Sequence, residues 1–546
     1  MTERSSVAEA VGRVVAECGA ARAFGVVGSG NLAVTNALRA RGVPFVAARH
    51  EMGAATMADA YARMSDRLTV VSTHQGCGLT NALTGISEAA KSRTPMLVLT
   101  ADTPGSAVRS NFRIDQDAAV RAVGAVSERV HSAASAVDDA VRACRTALHE
   151  RRTVVLNLPL DVQAQVVEPR PVRVAAPRPV RPEPAAVTEL TDLLANARRP
   201  VFVAGRGARG AAPELRSLAE TAGALLATSA VANGLFRGDT WSLGISGGFS
   251  SPLAAELISD ADLIVGWGCA LNTWTTRHGR LIGSDAKAVQ VDVEADALGA
   301  HQPVDLGVLG DVALTAADAE TELAARGHKA TGYRTPEVRQ RIAERVRWRD
   351  EPYAELAEEG HIDPRTLSIG LDDALPAARA VSVDSGNFMG YPSVYLSVPD
   401  QYGFCFTQAF QSIGLGLATA IGTALAQPDR IPVAALGDGG FHMALAELET
   451  VVRLGLPMVI VVYNDAAYGA EVHHFGSGVD LDTVYFPDTD IASIARGFGC
   501  AGVTVRRPED LDAVREWVAG DRAAPLVVDA KIASDGGSWW LAEAFR

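Results

Sequence analysis

The stretch IPVAALGDGGFHMALAELETVVRLGLPMVIVVYND, residues 431–465, decides the fold of this chain. Its pattern predicts a buried strand, an amphipathic helix and a second strand, at Ile431–Leu436, Phe441–Leu454 and Pro457–Tyr463. This order indicates a parallel β-α-β unit, in which the carboxyl ends of both strands meet at one crevice. Asp438 and Asp465 follow these two strand ends, so we expect their side chains to converge.

Two acidic residues beside a glycine-rich turn suit a particular kind of ligand. Asp438 stands between Gly437 and Gly439, and Asn464 follows 25 residues after Gly439. Carboxylate oxygens are good ligands for a hard divalent cation, and glycine-lined backbone amides can receive a diphosphate. A lone Gly-Asp-Gly is more often an ordinary turn. The complete unit, with its spacing, predicts a site for a cation that carries a diphosphate.

Composition indicates a large α/β protein. The chain has 546 residues, enough for about three domains of ~150–200 residues each, and its 51 glycines suit many tight connections. The net charge of −14 argues against nucleic acid and anionic membrane as partners. Six cysteines without a CxxC pair indicate neither a zinc site nor a disulfide framework. The charged N-terminus does not resemble a signal peptide, and no apolar run approaches the ~18 residues of a membrane span. We therefore expect a cytoplasmic protein.

Two junctions divide the chain into three parts. The proline-rich segment from Glu168 to Pro184 predicts an extended linker, and a polar stretch from about Arg326 to Gly360 separates the second junction. The three parts, 1–168, 185–325 and 355–546, each alternate short apolar runs with helical periodicity. This alternation predicts three doubly wound parallel sheets. The strands that it predicts are Phe45–Ala48, Thr69–Ser72, Met96–Thr100, Val201–Ala204, Leu263–Val265, Ala288–Val291, Val381–Val383, Val433–Leu436 and Met458–Val462.

Over nearly its full length the chain resembles the thiamin diphosphate (ThDP)-dependent family of acetolactate synthase, pyruvate decarboxylase and benzoylformate decarboxylase. The GDG motif at 437–439 and the later Asn464-Asp465 carry the resemblance, although the family usually has Asn at the position of Asp465. The resemblance implies a pyrimidine-binding domain at 1–168, a middle domain at 185–325 and a diphosphate-binding domain at 355–546. It also implies a homodimer or homotetramer whose active sites lie between chains.

Glu51, in ARHEMGAATMADAYAR, begins a helix after a predicted strand of the first domain. By resemblance it is the glutamate that hydrogen-bonds N1′ of the cofactor pyrimidine and promotes removal of the C2 proton. Taken alone, its position favours a solvated carboxylate in a first helical turn, where negative charge favours the helix dipole. The GDG motif and the matching position in the first domain favour the catalytic role instead.

The resemblance also implies a cofactor cradle in the third domain. The backbone carbonyl of Gln411 would accept from the 4′-amino group, and the Ile413 amide would donate to N3′ while its side chain holds the bent cofactor. The glycines near Ile413 could also serve helix packing. The other expected cofactor-binding residues are Gly386, Asn387, Phe388, Asp438, Gly439, Gly440, Asp465, Ala467, Tyr468 and Gly469.

The metal is expected to be Mg²⁺, because the ligands are oxygen atoms and the partner is a phosphate. We assign it to Asp438, Asp465 and the main-chain carbonyl of Ala467. Asn464 is the competing ligand if the register differs by one residue.

Four further residues are candidates for substrate chemistry. His74, in STHQGCGLTN, and Ser29, in VVGSGN, resemble active-site residues of benzoylformate decarboxylase. Glu471 resembles the active-site glutamate of pyruvate decarboxylase, and Gln116 roughly matches a family glutamine that faces the thiazolium. His74, Ser29 and Glu471 also have ordinary explanations, as a satisfied histidine, a helix cap and a surface charge.

The resemblance implies a ThDP- and Mg²⁺-dependent enzyme that cleaves or decarboxylates a 2-oxo acid or related carbonyl compound. The domain pattern favours transfer of the activated aldehyde to a second carbonyl, as in acetolactate synthase. His74 and Glu471 favour the alternative, a non-ligating 2-oxo acid decarboxylase. A catalytically silent ThDP-binding paralogue and a dehydrogenase are alternatives of other classes. FAD is not expected, because Gly268–Thr276 lacks the loop that binds it in acetolactate synthase.

Overall fold

Three separate six-stranded parallel sheets, each flanked by helices, form the framework of the molecule. The computed structural model describes residues 5–168, 170–172, 174–330, 332–356, 358–475 and 478–544. The predicted α/β architecture of three doubly wound parallel-sheet domains is confirmed. Predicted strands are found within a few residues of their expected ends; for example, the run expected at Thr69–Ser72 forms a strand at Thr69–Thr73.

The first domain has a sheet of strand order β3-β2-β4-β5-β7-β6. The order reverses between β2 and β4, so the loops after these two strands border the crevice where ligands of such sheets bind. Ser29 follows β2 and His74 follows β4. The elements are β1 Ser5–Ser6, α1 Val7–Glu17, β2 Arg22–Gly25, α2 Leu32–Ala40, β3 Phe45–Ala47, α3 Glu51–Ser65, β4 Thr69–Thr73, α4 Cys77–Lys91, β5 Met96–Asp102, α5 Gln116–Ala122, β6 Val126–Arg129, α6 Ala136–His149, β7 Thr153–Pro159, α7 Leu160–Gln163 and β8 Val166–Val167.

The middle domain has the strand order β11-β10-β9-β12-β13-β14. Its elements are α8 Pro184–Asn196, β9 Pro200–Ala204, α9 Ala212–Ala222, β10 Leu225–Thr228, β11 Ser242–Ile245, α10 Pro252–Ser259, β12 Leu263–Trp267, β13 Lys287–Asp292, β14 Leu306–Leu309 and α11 Val312–Ala325. The described residues between Val167 and Pro184 form neither helix nor strand, as expected of a proline-rich segment. After α11, the polar stretch contains one α-helix, α12 Pro336–Arg345.

The third domain has the strand order β16-β15-β17-β18-β20-β19, which reverses between β15 and β17. The loop after β15 and the Gly-Asp-Gly turn after β17 therefore border its crevice. The elements are α13 Pro364–Ala374, β15 Arg379–Val383, α14 Gly390–Tyr395, β16 Phe404–Phe406, α15 Gly416–Ala426, β17 Ile431–Gly437, α16 Asp438–Ala444, α17 Glu447–Arg453, β18 Val459–Asn464, α18 Gly469–Phe475, α19 Ile491–Gly497, β19 Ala501–Val505, α20 Asp512–Ala519, β20 Leu526–Lys531 and α21 Trp539–Ala544.

The helix predicted at Phe441–Leu454 is the one clear difference in the deciding stretch. The helical segment begins earlier, at Asp438, and is divided into α16 and α17 at Leu445 and Ala446. These two residues keep helical dihedral angles, but the amide of Leu448 donates to the carbonyl of Leu445, three residues back. The tighter turn replaces the regular hydrogen bonds of a continuous helix.

Helices α3 and α15 join the first and third domains through one apolar core. The close approach requires glycine, because a Cβ atom on Gly422 would overlap the carbonyl oxygen of Met57. A buried ion cluster lies beside this contact: Arg63 pairs with Asp59 and Glu88, and Glu88 also accepts from the amide of Phe410 at 2.7 Å. The cluster anchors the loop that leads into α15.

Within the described parts of the chain, no helix is both long and apolar enough to cross a membrane.

Candidate active site

Asp438 and Asp465 lie side by side at the carboxyl ends of β17 and β18. These strands are adjacent and parallel, with Gly437 paired to Tyr463. The two carboxyl groups are in hydrogen-bonding contact; Asp438 is buried and Asp465 is half-buried. Burial raises the pKa of each, and the charge of Asp438 raises the pKa of Asp465 further. Two carboxylates that repel each other in a buried crevice are well suited to hold a cation.

The competing residue, Asn464, is turned away from this crevice. Its side-chain amide donates to Oδ1 of Asp529 at 2.9 Å, and its carbonyl oxygen accepts from the amide of Ala466 at 3.1 Å. The amide of Ala467 donates to Asp465 instead. This arrangement favours Asp465 over Asn464 as a metal ligand. Among the described residues, no group of three or more His, Cys, Asp and Glu side chains could hold a metal by itself.

Glycines allow close packing around the two aspartates. A Cβ atom on Gly439 would lie 2.6 Å from the ring of Tyr468, and one on Gly469 would overlap the Asp465 carboxylate. A Cβ atom on Gly440 would likewise overlap the Asp384 carboxylate. The backbone at these predicted cofactor-binding positions therefore approaches neighbouring side chains more closely than any other residue type permits.

Asp384 holds the loop that leads into α15, a role that sequence reasoning missed. Its buried carboxylate accepts from the amides of Gly414 at 2.9 Å and Leu415 at 3.2 Å. Burial raises the pKa of Asp384 to about 6, against the opposing effect of the amides that it accepts from. The carboxylate thereby fixes the residues next to Ile413. Gln411 in the same loop has a φ of 62°, which is unusual for a residue with a side chain.

Asn387 and Phe388 lie in the loop after β15, as predicted, but Asn387 is bound by a later segment of the chain. Its side-chain oxygen accepts from the hydroxyl of Ser538 at 2.9 Å, and its backbone carbonyl accepts from the indole of Trp540 at 2.8 Å. Phe388 stacks on Tyr463 with ring centres 5.3 Å apart. The loop is thus held rigidly from both sides.

Glu51 begins α3 and is 9% exposed. Its Oε2 accepts from the side-chain amide of Asn81 on α4 at 3.1 Å, a partner that sequence reasoning did not identify. A Cβ atom on Gly78 would lie 3.4 Å from Oε1 of Glu51 and 3.1 Å from Cβ of His74. The glycine therefore lets the glutamate and the histidine approach each other.

His74 and Ser29 meet across the switch point of the first sheet. The Oγ atom of Ser29 lies 3.5 Å from Nε2 of His74, and Nδ1 of His74 lies 3.1 Å from the carbonyl of Gln75. Because a carbonyl can only accept, Nδ1 carries the proton and Nε2 is left as an acceptor. The edge of the Phe112 ring packs on the imidazole at 5.0 Å. The pair can accept a proton from a bound molecule or return one to it.

Gln116 has its side chain fully engaged within the first domain. It accepts from the amide of Gly76 at 2.8 Å and donates to the Ala101 carbonyl and to Asn157. These bonds shape the turn that follows His74. The bonds favour a positioning role over direct contact with substrate.

Glu471 lies on α18, half-buried, three residues after Tyr468. The same helix carries His473, whose Nε2 lies 3.6 Å from Asp535. The predicted site residues thus fall into two groups, one in the first domain and one in the third. No hydrogen bond or ion pair among the described residues links Glu51 or His74 to Asp438, Asp465 or Glu471 within one chain.

Three family models match the chain in the order of its three domains. The model described as "Thiamine pyrophosphate enzyme, N-terminal TPP binding domain" matches residues 5–122. The central-domain model matches residues 187–318, and the C-terminal TPP binding domain matches residues 384–530. Together they cover more than half of the chain. The chain belongs to the thiamine pyrophosphate (ThDP) enzymes.

Curated members of the ThDP enzymes align with almost the whole chain. The sulfoacetaldehyde acetyltransferase of Rhodobacter capsulatus is 29% identical, with 100% of this chain and 96% of that protein aligned. The probable 2-ketoarginine decarboxylase AruI of Pseudomonas aeruginosa is 29% identical over 92% of this chain and 89% of its own. The acetolactate synthase large subunit of Parasynechococcus marenigrum is 27% identical over 89% and 79%. These names cover transfer, decarboxylation and synthesis, so membership of the ThDP enzymes alone does not select the reaction.

The residues present fit a ThDP cofactor. Paired carboxylates supply hard oxygen ligands at the ends of two neighbouring strands, and the adjacent glycine-rich turn offers backbone amides that can receive a phosphate. In the middle domain of this ThDP enzyme, Gly205 and Gly207 pack directly against the backbone of Gly268. The glycine-rich turn GRGARG, residues 205–210, therefore serves the packing of two loops.

Proposed function

We propose that this protein is a ThDP- and Mg²⁺-dependent enzyme that cleaves or decarboxylates a 2-oxo acid or related carbonyl compound and transfers the activated aldehyde to a second carbonyl. The buried contact of Asp438 with Asp465 carries the proposal, because it supplies the cation site that a diphosphate requires. The full-length similarity to an acetyltransferase and an acetolactate synthase supports transfer over simple release.

Asp438, Asp465 and the carbonyl of Ala467 would hold Mg²⁺. The amides of Gly439 and Gly440, with the loop Gly386–Phe388 and the turn at Tyr468 and Gly469, would receive the diphosphate. Gln411 and Ile413 would bind the pyrimidine. When bound, ThDP supplies a nucleophilic carbon that attacks a carbonyl and stabilises the charge left by the departing group.

Glu51 would hold a proton at N1′ of the pyrimidine. The hydrogen bond from Asn81 to Oε2 fixes the orientation of the carboxyl group and leaves Oε1 toward Gly78, beside His74. A carboxyl group in a fixed position can donate and recover the same proton in each cycle. We propose this exchange as the chemical contribution of Glu51.

His74, Ser29 and Glu471 would handle protons of the substrate. Nε2 of His74 is an acceptor beside the Ser29 hydroxyl, so the two can orient a substrate carbonyl or hydroxyl group between them. Glu471 would deliver a proton from the third domain. These titratable groups also support the second candidate function, a non-ligating decarboxylase, as does the similarity to a probable 2-ketoarginine decarboxylase. A catalytically silent paralogue would not need this constellation.

We further propose a homodimer or homotetramer in which the first domain of one chain faces the third domain of another. Large apolar side chains are exposed near the cofactor-facing edges of both domains, which favours burial by a second copy. In the first domain these are Val27, Leu32, Val108, Phe112 and Ile114, and in the third they are Phe410, Met443, Phe475, Tyr485 and Phe486.

Two measurements test the proposal. Denaturation of the purified protein followed by mass spectrometry of the released small molecules should identify ThDP; NAD or FAD in its place would contradict it. A panel of 2-oxo acids, each with and without an acceptor aldehyde, should then yield a ligated product. Release of aldehyde alone under all acceptor conditions would select the decarboxylase.

A further inference from the structure

A carboxylate of the third domain is bound to the backbone that leads into Glu51. Glu447, at the start of α17, is 3% exposed. Its Oε1 accepts from the amide of Arg49 at 3.0 Å and from the amide of His50 at 3.1 Å. These are the two residues directly before Glu51. The contact crosses from one domain to another, almost four hundred residues apart in sequence.

The surroundings hold the Glu447 side chain in this position. Its second oxygen, Oε2, accepts from the Thr450 hydroxyl at 2.7 Å. A Cβ atom on Gly53 would lie 2.5 Å from Oε1, so this glycine leaves the space that the carboxylate occupies. The Arg49 guanidinium is not part of the contact, because it pairs with Glu449 on the exposed side.

The contact supplies an acceptor to two backbone amides that have no acceptor in their own segment. The amides before and within the first turn of a helix have no partners in the helix itself. The ring of His50 accepts from the amide of Met52 at 3.1 Å, but no side chain of the first domain accepts from Arg49 or His50 among the described residues. A carboxylate at this end also interacts favourably with the dipole of the 15-residue helix α3.

We propose that Glu447 is a positioning residue that fixes the first turn of α3 and so sets the place of the Glu51 carboxyl group. The catalytic consequence of this positioning rests on the proposed role of Glu51. The positioning itself is independent of that role. A shift of the helix start would move Glu51 relative to Asn81, and a displacement of ~1 Å at a reacting group can reduce a rate by about 10²-fold.

Amide hydrogen exchange of the cofactor-free protein tests the positioning directly. Glu447→Ala should remove the protection of the Arg49 and His50 amides, whereas Glu447→Gln should retain it, because its amide oxygen can still accept. Glu449→Ala is the matched control on the same helix, and it should leave both amides protected. Full protection in Glu447→Ala, with the protein folded by circular dichroism, would overturn the proposal.

A double-mutant cycle with Gly53 provides an independent readout. Gly53→Ala should lower the thermal stability of the parent by displacing the carboxylate, and it should cost less in the Glu447→Ala background, where the space is free. Equal losses in both backgrounds would show that Gly53 and Glu447 do not interact. This cycle needs no cofactor, so it distinguishes failure of the contact from failure of the proposed chemistry.

The catalytic consequence is measured with ThDP bound. Glu447→Ala should slow exchange of the C2 proton of ThDP by at least about tenfold, and Glu447→Gln should recover most of the rate. If Glu51→Gln leaves this exchange unchanged, the proposed function of Glu51 fails, while the amide-exchange result still decides the role of Glu447. An unchanged C2 exchange in Glu447→Ala, together with a large effect of Glu51→Gln, would overturn the catalytic part of the proposal.

Discussion

The carboxyl groups of Asp438 and Asp465 are in hydrogen-bonding contact, although each follows a different strand of the sheet. In the protein without a cation, burial and mutual repulsion favour retention of a proton by the pair. A divalent cation would take the place of that proton. Protons and Mg²⁺ should therefore compete for this site.

The competition predicts a pH-dependent gain in stability on binding Mg²⁺ and ThDP. The folded-state pKa of Asp465 is raised, so its protonated form stabilises the cofactor-free protein. This contribution falls as pH rises from the ordinary carboxyl range through the raised pKa. Over the same range Asp465 loses its proton, and the cation can take the place of that proton. The increase in Tm with Mg²⁺ and ThDP should therefore grow with pH. Asp465→Asn should flatten this growth. An increase that is the same at every pH in the parent would refute the competition.

Asp438→Ala should abolish or greatly weaken cofactor binding. Loss of groups that only support metal ligands costs about 10–100-fold in metal affinity, so loss of a direct ligand should cost at least that much. Isothermal titration with ThDP and Mg²⁺ measures the effect. Asp512→Ala, an exposed aspartate on α20, is the control and should bind like the parent. Equal affinity in Asp438→Ala would show that Asp438 is not a ligand.

Glu51→Gln should retain ThDP but slow the exchange of its C2 proton. An amide cannot give and recover the proton at N1′, and acid-base contributions of this kind are worth roughly 10²–10⁴-fold. Nuclear magnetic resonance of quenched samples in deuterated water follows the exchange. The exposed Glu150→Gln serves as the comparison. Parent-like exchange in Glu51→Gln would remove this residue from the mechanism.

Glu471→Gln should change how the activated aldehyde unit is used. If Glu471 supplies the proton that releases aldehyde, release should slow by roughly 10²–10⁴-fold and more of the unit should reach an added acceptor. The ratio of ligated product to free aldehyde, measured at one acceptor concentration, should therefore rise. Glu509→Gln, at an exposed position, should leave the ratio unchanged. The same ratio and rate in Glu471→Gln would identify it as a bystander.

The central strands and the close approach of Asp438 to Asp465 were predictable because their causes are local. Each central strand is a continuous apolar run, and the spacing of Asp438 and Asp465 follows from one β-α-β unit. The edge strands β6 and β19 are mostly half-buried and lack such a run, so the sequence does not single them out. The antiparallel pair of β1 with β8 joins residues about 160 positions apart and has only two residues in each strand.

The supporting residues of the site could not be found in the same way. Asn81, Asp384 and Glu447 are ordinary polar residues in their own segments, and their roles arise from partners elsewhere in the fold. The sequence predicts Asn387 as a cofactor-binding residue by resemblance, but it does not indicate that Ser538 and Trp540 bind Asn387 from a distant segment. Contacts between segments that are distant in sequence depend on tertiary packing, which periodicity and spacing do not encode.

The binding of Asn387 by Ser538 and Trp540 has a consequence for the order in which the protein folds. Trp540 also fills the space above Gly390, where a Cβ atom would overlap its indole. Residue 540 leaves the ribosome about 150 residues after residue 387. Domains generally fold from the N-terminus as the chain emerges. The first and middle domains can therefore fold earlier, whereas the loop Gly386–Phe388 reaches its final form only after the segment with Ser538 and Trp540 has been synthesised.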